Sequence, residues 1–169
     1  MTIRELTEKD IPAFYHMMCL LDEETEYMMY EPGERRDPEG FRTRVLEALS
    51  GGDFLLAAES KNGELVGFLW AERGKMNRIR HTAYIVVGIR ESYRHRGIGT
   101  AFFRQLDEWA AASGIVRLEL TVECPNGSAK ALYEKNGFRV EGIRPKAMKV
   151  NGSLIDEYYM GKIIGEPAE

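Results

Sequence analysis

The amino-acid sequence predicts an α/β fold with one mixed, twisted, mostly antiparallel sheet, a central pair of parallel strands, and helices on both faces. Two Asn-Gly pairs, Asn62-Gly63 and Asn151-Gly152, lie between apolar runs, a pattern typical of antiparallel hairpins. The apolar runs Thr82–Ile89 and Val116–Val122 flank a helical pattern, and such a crossover joins parallel strands. A chain of 169 residues has the length of one domain.

The predicted elements have clear end signals along the whole chain. Thr7 and Asp10 resemble a capping box, and Pro38 suits the first turn of a helix. We expect one domain over residues 1–165 and a short tail over 166–169. The elements are strand Thr2–Leu6, a helix that begins at Thr7–Asp10, helix Pro38–Gly51, strands Phe54–Ala58, Leu65–Ala71 and Thr82–Ile89, helix Gly97–Ser113, strand Val116–Val122, helix Asn126–Asn136, and strands Phe138–Ile143 and Leu154–Ile164.

Two of these elements show their packing directly in the sequence. Thr82–Ile89 is the most hydrophobic stretch and is predicted to be a buried central strand. The helix Gly97–Ser113 has an apolar face at helical spacing. That face is predicted to contain Ile98, Phe102, Leu106 and Trp109.

Composition predicts a globular cytoplasmic protein. Apolar residues make up 44% and charged residues 30% of the chain, and the net charge of −4 argues against binding nucleic acid through a broad basic surface. No apolar run approaches the roughly 18 residues of a membrane span, so we expect no membrane association. Cys19, Cys124 and the histidines lack metal-ligand spacing, so no metal site is expected. Cys124 is interpreted as a small buried residue rather than a nucleophile.

The most informative segment is Ile89–Thr100, where an apolar run ends, the basic residues Arg94-His95-Arg96 follow, and Gly97-Ile98-Gly99 opens a helix. The first N–H groups of a helix are unpaired, and glycine lets a ligand approach the backbone. The segment therefore predicts a phosphate site. It is neither a Walker loop nor a Rossmann fingerprint, which would need a third glycine where Phe102 stands. The alternative is a tight turn with solvated arginines.

A second polar segment, Asn126–Phe138, follows the next predicted strand. Asn126, either Ala129 or Lys130, and Tyr133 share one face of a helix, and Asn126 suits its N-cap. The small Ala129 leaves room for a ligand beside Tyr133. Tyr133 is thus either a ligand-facing hydroxyl or a core aromatic residue whose hydroxyl reaches the surface.

Together, these two segments resemble the GNAT superfamily of acyl-CoA-dependent N-acetyltransferases. Arg94-x-x-Gly97-x-Gly99 is similar to its Q/R-x-x-G-x-G/A signature, and Asn126-x-x-Ala129-x-x-Leu132-Tyr133 is similar to its second landmark. The order of elements matches over Thr2–Ile164. The resemblance implies a single-domain GNAT-like fold and transfer of an acetyl group from acetyl-CoA, as co-substrate, to a primary amine. The amine would be a small cationic molecule or a protein N-terminus.

The resemblance also implies roles for individual residues. Tyr133 would be catalytic and face the sulfur of the co-substrate. The pantetheine arm and thioester oxygen would contact the strand end and Asn126, and the pyrophosphate would bind the turn, with Arg94 at its rim. The residues implied in cofactor binding are Val87, Gly88, Ile89, Arg94, His95, Arg96, Gly97, Ile98, Gly99, Thr100 and Asn126.

The base that would deprotonate the amine is not assigned by the sequence. Family members carry a glutamate on the central strand, where this chain has Ala83, or on the next strand, where it has Thr121. Glu72, His81, Glu123 or a water molecule are the alternatives.

Several alternatives about substrate and function stay open. The acidic segment Asp22–Glu34, with Tyr27 and Tyr30, either attracts a cationic amine or is a solvated loop. The missing carboxylates favour a non-catalytic acyl-CoA-binding or regulatory module, whereas the presence of Tyr133 argues against it. A structural or partner-binding domain is a third hypothesis. The apolar C-terminal strands can pair with a second copy, so a homodimer is also a hypothesis.

Overall fold

The structure, a computed structural model, describes residues 1–165. The predicted tail over 166–169 lies outside the described residues. Within residues 1–165 the chain forms seven strands in one sheet and four α-helices. The strands are β1 (Thr2–Glu5), β2 (Phe54–Glu59), β3 (Leu65–Arg73), β4 (Thr82–Ile89), β5 (Arg117–Glu123), β6 (Arg139–Val150) and β7 (Ser153–Ile163), and the helices are α1 (Ile11–Glu24), α2 (Pro38–Gly51), α3 (Ile98–Ala112) and α4 (Gly127–Lys135).

The sheet has the predicted mixed character. Its strands lie in the order β1-β2-β3-β4-β5-β7-β6, with β4 and β5 parallel and the two hairpins antiparallel. The parallel ladder pairs Thr82–Tyr84 with Arg117–Glu119, so Val87, Gly88 and Ile89 lie beyond its last pair. The fold class predicted from the sequence is confirmed.

Two compact units share the chain. The first contains Met1–Glu72 and Val86–Phe102, and the second contains Arg73–Ile85 and the chain from Phe103 onward. The boundaries fall inside β4 and α3, so each of these elements contributes to both units.

The core of the first unit is aromatic and aliphatic. Phe14 on α1 packs against Phe41 and Phe68, with ring centroids 5.2 and 5.3 Å away. The contact between Phe14 and Phe41 packs α1 against α2.

The predicted capping box before α1 is present, because the Asp10 carboxylate accepts the N–H of Thr7 at 2.8 Å.

The second unit contains the end signals predicted for the later elements. Asn126 caps α4 by accepting the N–H of Ala129 at 3.2 Å, and Gly137 ends it with a φ of +89°. Asn151 and Gly152 both have positive φ angles, 47° and 82°, as the tight turn between β6 and β7 requires. No helix in the described range 1–165 combines the length and apolar character needed to cross a bilayer.

Three sequence predictions about these elements were wrong in part. β4 was predicted to be buried, but only Ala83 and Ile85 are buried, while Tyr84 and Val86 are exposed. One face of this strand is therefore accessible to solvent. The last-but-one strand extends to Val150, because an edge strand tolerates Pro145, where the ladder shifts register.

The predicted apolar face of α3 is also displaced around the helix. Trp109 is only half-buried, whereas Phe103 and Ala110 are completely buried. Phe102, Phe103, Leu106 and Ala110 therefore form the face that packs in the core.

Candidate active site

The turn between β4 and α3 presents a run of backbone N–H groups. A short 3₁₀ turn over Glu91–Tyr93 precedes His95 and Gly97, which have φ angles of 58° and 81°. From Arg96 to Thr100, no N–H group donates to another group of residues 1–165, and α3 begins with a bond from the Ala101 N–H to the Gly97 carbonyl. Consecutive free N–H groups at a left-handed turn and a helix N-terminus are the usual donors to anions.

The glycine at this turn leaves its ligand side open. A Cβ atom placed on Gly97 would have no heavy atom within 4 Å. The positive φ at this position favours glycine, and the non-glycine His95 adopts the same region at a cost of about 1 kcal/mol. The backbone is thus held in a conformation that exposes its amides.

The basic residues of this turn take different positions. The Arg94 guanidinium folds back and donates from Nε to the Ile89 carbonyl at 3.1 Å, so it braces the strand end. The Arg96 guanidinium lies 5.1 Å from the centre of the Tyr93 ring. The guanidinium groups of Arg94 and Arg96 thus belong to residues next to, or within, the run of unpaired N–H groups.

A carboxylate of α1 anchors the start of this turn. Glu24 accepts from the Arg90 side chain at 2.6 Å and from the Glu91 N–H at 2.9 Å. Desolvation raises the pKa of the Glu24 carboxyl, but these hydrogen bonds outweigh it and hold its pKa below the usual value. The Arg90 N–H also donates to the Val66 carbonyl at 2.9 Å.

The strand end Val87–Ile89 is packed closely and is half-buried. A Cβ atom on Gly88 would lie 2.7 Å from Phe68 Cε1 and 3.0 Å from Leu21 Cδ1. Glycine is therefore needed here for packing, whether or not a ligand binds.

In the second unit, Tyr133 lies among aromatic residues of the core. It is 7% exposed and packs edge-on against Phe103, with ring centroids 5.8 Å apart. Its hydroxyl makes no hydrogen bond with another group of residues 1–165. The hydroxyl oxygen is not fully enclosed, because every fully enclosed side-chain oxygen in that range has a partner. Burial, with a smaller contribution from Tyr84, raises the pKa of Tyr133.

Tyr84 is a residue of this region that sequence reasoning missed. It lies on the exposed face of β4, is 37% exposed, and its hydroxyl forms a 2.9 Å hydrogen bond with Thr121 Oγ1 on β5. Ala83, considered in the sequence as the position of a base, is completely buried. A polar residue in an otherwise aliphatic strand was the signal that could have identified Tyr84.

The three candidate bases are in different surroundings. Glu72 forms an ion pair with Arg44 at 3.6 Å, and His81 is exposed before β4. Glu123 is buried and lies opposite Glu157 in the β5–β7 ladder. None of the three is among the residues that line the cavity beside Tyr84.

That cavity has a volume of about 360 Å³ and is lined by residues of β4, β5, β6 and β7. At its wall the Arg117 guanidinium donates to Glu119 at 2.8 Å and to Glu141 at 2.9 Å. The pKa of Arg117 is raised and that of Glu141 lowered by these hydrogen bonds. The lining residues are Tyr84, Arg117, Glu119, Leu120, Glu141, Gly142, Tyr159 and Met160.

The structure changes the interpretation of the acidic segment Asp22–Glu34 and of Cys124. In the acidic segment, Asp22 is buried and paired with Arg35 at 2.7 Å, and Glu24 is paired with Arg90, so both carboxylates stabilise the fold. Cys124, predicted to be buried, is half-buried.

Comparisons with known proteins agree with these observations. The chain matches the Acetyltransferase (GNAT) family over residues 14–138 and belongs to that family. It is 31% identical over 106 residues to the L-amino acid N-acetyltransferase AaaT of Escherichia coli, covering 60% of this chain and 64% of that protein. It is 33% identical over 107 residues to the N-alpha-acetyltransferase RimI of Mycobacterium tuberculosis, covering 63% and 64%. These matches span less than two thirds of either relative.

Solved structures show the same fold over the whole length. An acetyltransferase of the GNAT family from Streptococcus pneumoniae matches with a TM-score of 0.89 and 30% identity, covering 97% of this chain and 99% of that one. The yncA structure of Salmonella typhimurium, which contains acetyl-CoA, matches with a TM-score of 0.86 and 20% identity, covering 100% and 96%. The latter supports the fold alone.

Proposed function

We propose that this protein is an N-acetyltransferase that moves an acetyl group from acetyl-CoA to a primary amine. The observation that carries the proposal is the run of unpaired N–H groups from Arg96 to Thr100 in a chain of the GNAT family. Five consecutive donors beside an open Gly97 fit a diphosphate, which offers several anionic oxygens to a helix N-terminus.

The residues of the first unit would hold acetyl-CoA by this diphosphate. His95, Arg96, Gly97, Ile98, Gly99 and Thr100 would surround it, with Arg94 beside them. Val87, Gly88 and Ile89 would contact the pantetheine arm, and backbone N–H near Ile89 would donate to the thioester oxygen. Stabilising such an oxygen is usually the largest contribution in acyl transfer. Asn126 in the second unit would contact the arm through its amide.

When bound, acetyl-CoA supplies a thioester that an amine can attack directly, so no protein nucleophile is required. Tyr133 would donate a hydrogen bond to the departing thiolate, and the proton that the amine nitrogen loses would pass to water. Because burial raises its pKa, Tyr133 stays protonated near neutral pH, and it acts by donating a hydrogen bond rather than by full proton transfer.

An α-amine is the acceptor that best fits the side chains present. Neutralising a lysine-like amine at pH 7 costs roughly 4.6 kcal/mol, whereas an α-amine near pKa 8 costs about 1.4 kcal/mol. Neither Ala83 nor Thr121 offers a carboxylate to meet the larger cost. The names of the relatives agree, since one acetylates L-amino acids and the other is an N-alpha-acetyltransferase. Free amino acids and protein N-termini are thus the acceptors to test first.

The test is incubation with acetyl-CoA and a panel of amino acids, peptides and other cationic amines, with measurement of free CoA thiol. We expect thiol release above background hydrolysis and a gain of one acetyl mass on an α-amine. CoA affinity, measured by calorimetry, separates the alternatives. Binding without turnover on any amine would select the non-catalytic acyl-CoA-binding module, and no binding would contradict both.

A further inference from the structure

Tyr84 and Thr121 form a pair of hydroxyl groups at the end of the parallel ladder. Tyr84 pairs in register with Glu119, and Thr121 lies two residues further along β5 on the same face. Their oxygens are 2.9 Å apart, and the Tyr84 side chain also lines the open cavity. This pair belongs to neither the turn before α3 nor the aromatic core around Tyr133.

We propose that Tyr84 binds the acceptor amine through its hydroxyl oxygen and that Thr121 positions this hydroxyl. The inference rests on the proposed function and names a residue for the amine side of the reaction. Tyr84 is a neutral hydrogen-bond acceptor in this role, not a base. The amine keeps its lone pair for the thioester carbon while one of its N–H groups donates to Tyr84.

The direction of the hydroxyl pair follows from acidity. A phenolic hydroxyl is more acidic than an aliphatic one, so Tyr84 is the better donor and Thr121 the better acceptor. A tyrosine that has donated its only hydrogen retains lone pairs on its oxygen. Because the side chain is partly exposed in the cavity, those lone pairs are accessible to an N–H group.

The charged groups of the cavity are already paired with one another. Glu119 and Glu141 both accept from Arg117, and this three-residue network forms the wall of the cavity. Tyr84 is also close enough to contribute to the raised pKa of Tyr133, the proposed hydrogen-bond donor to the thiolate. This electrostatic interaction links Tyr84 to Tyr133 within the second unit.

The test compares Tyr84→Phe, Thr121→Val and Thr121→Ser in steady-state assays with an α-amine substrate. We expect Tyr84→Phe to lower kcat/KM for the amine about tenfold, with KM for acetyl-CoA unchanged. Thr121→Val should give a smaller loss in the same direction, and Thr121→Ser, which keeps the hydroxyl, should restore the wild-type value. The double variant Tyr84→Phe with Thr121→Val should be no worse than Tyr84→Phe alone.

A matched control and a pH profile distinguish this role from a structural one. Tyr158→Phe removes a hydroxyl from β7. Tyr158 pairs in register with Val122, and both lie on the face of the sheet opposite to Thr121, so this variant should leave kcat/KM unchanged. The acid limb of kcat/KM should keep its midpoint in Tyr84→Phe, because the amine's own pKa sets it. Equal effects of Tyr84→Phe and Tyr158→Phe, or a shifted limb, would overturn the inference.

Failure of the inference is separable from failure of the function. Wild-type turnover with unaltered kinetics in Tyr84→Phe rejects the role of Tyr84 alone. A wild-type protein that binds CoA but acetylates no amine rejects the proposed function and this inference with it. Thermal melting of each variant confirms folding, and the exposed position of Tyr84 predicts little change.

Discussion

The turn before α3 and the cavity beside Tyr84 are built on different physical principles. The turn uses contiguous residues and presents backbone N–H groups without partners in the described chain. The cavity combines side chains from β4, β5, β6 and β7, and its polar groups are largely bonded to one another, as in the Arg117–Glu119–Glu141 network. Backbone donors serve any ligand with the same anionic group, whereas a fixed set of side chains selects among ligands.

This difference suggests how the two regions divide the work of an acetyltransferase. A cofactor shared by a family can be held by amides, whose chemistry does not depend on side-chain identity. An acceptor that differs between members needs recognition by side chains, the role proposed for Tyr84 and Thr121. Substitutions that separate these two kinds of recognition therefore test the comparison directly.

The largest effect is expected for Gly97→Glu in the turn. A glutamate there would place a carboxylate against the same N–H groups and repel a diphosphate, lowering CoA affinity about 100-fold, or roughly 2.7 kcal/mol. Calorimetric titration with CoA measures this. Gly114→Glu is the matched control, since Gly114 also has a positive φ, +70°, and open space around its Cβ position. Unchanged affinity in Gly97→Glu would remove the basis of the phosphate site.

The next largest effect is expected for Tyr133→Phe. Loss of the hydrogen bond to the departing thiolate should lower kcat about 30-fold, or roughly 2 kcal/mol. CoA affinity should be unaffected, and so should the free energy of unfolding, because the hydroxyl has no hydrogen-bond partner in residues 1–165. Stopped-flow measurement of thiol release determines kcat. An unchanged kcat would show that Tyr133 is a core aromatic residue only.

The two regions also differ in how far the sequence predicts them. The turn is a local structure, since Arg94, Gly97 and Gly99 lie within six residues of one another and their conformation is set by glycine and a helix start. The Tyr84–Thr121 pair joins residues 37 apart and depends on the β4–β5 register, which no local pattern specifies. The aliphatic residues around Tyr84 also conceal which face of β4 is exposed.

The same limit explains the errors in the other elements. The predicted strand Phe138–Ile143 stops short of Pro145, a residue type that removes a ladder hydrogen bond. Only the position of β6 at the sheet edge, together with the irregular pairing between Arg144 and Met148, makes that proline acceptable. The partners of Asp22 and Glu24 were equally hidden, since Arg90 lies 66 residues from Glu24.

A smaller effect, on stability, is expected for Gly88→Ala at the strand end. The new methyl group would meet the Phe68 ring and Leu21, and overpacking of this kind costs about 1.5 kcal/mol. Urea unfolding measures the loss. Gly127→Ala, at the open first turn of α4, is the control and should be neutral or slightly stabilising. Equal stabilities would mean that Gly88 is needed only for ligand approach.

The smallest effect concerns the two carboxylates that brace the two regions, Glu24 for the turn and Glu141 for the cavity. Both have lowered pKa values in the folded protein, so their stabilisation is present above the ordinary carboxyl pKa and is lost as pH falls through the folded value. Glu24→Gln should therefore reduce the free energy of unfolding by about 1 kcal/mol at pH 7, with the difference from wild type shrinking below roughly pH 4.5.

Glu141→Gln should show the same pH dependence with a smaller amplitude, because the Glu141 side chain is 42% exposed, against 21% for Glu24, and solvent screens its ion pair. Urea titrations of both variants at a series of pH values measure the two amplitudes. Because Glu24 holds the Glu91 N–H, its variant should also weaken CoA binding slightly, whereas Glu141→Gln should not. A larger loss of CoA affinity in Glu141→Gln would contradict the division between a turn that holds the cofactor and a cavity that selects the acceptor.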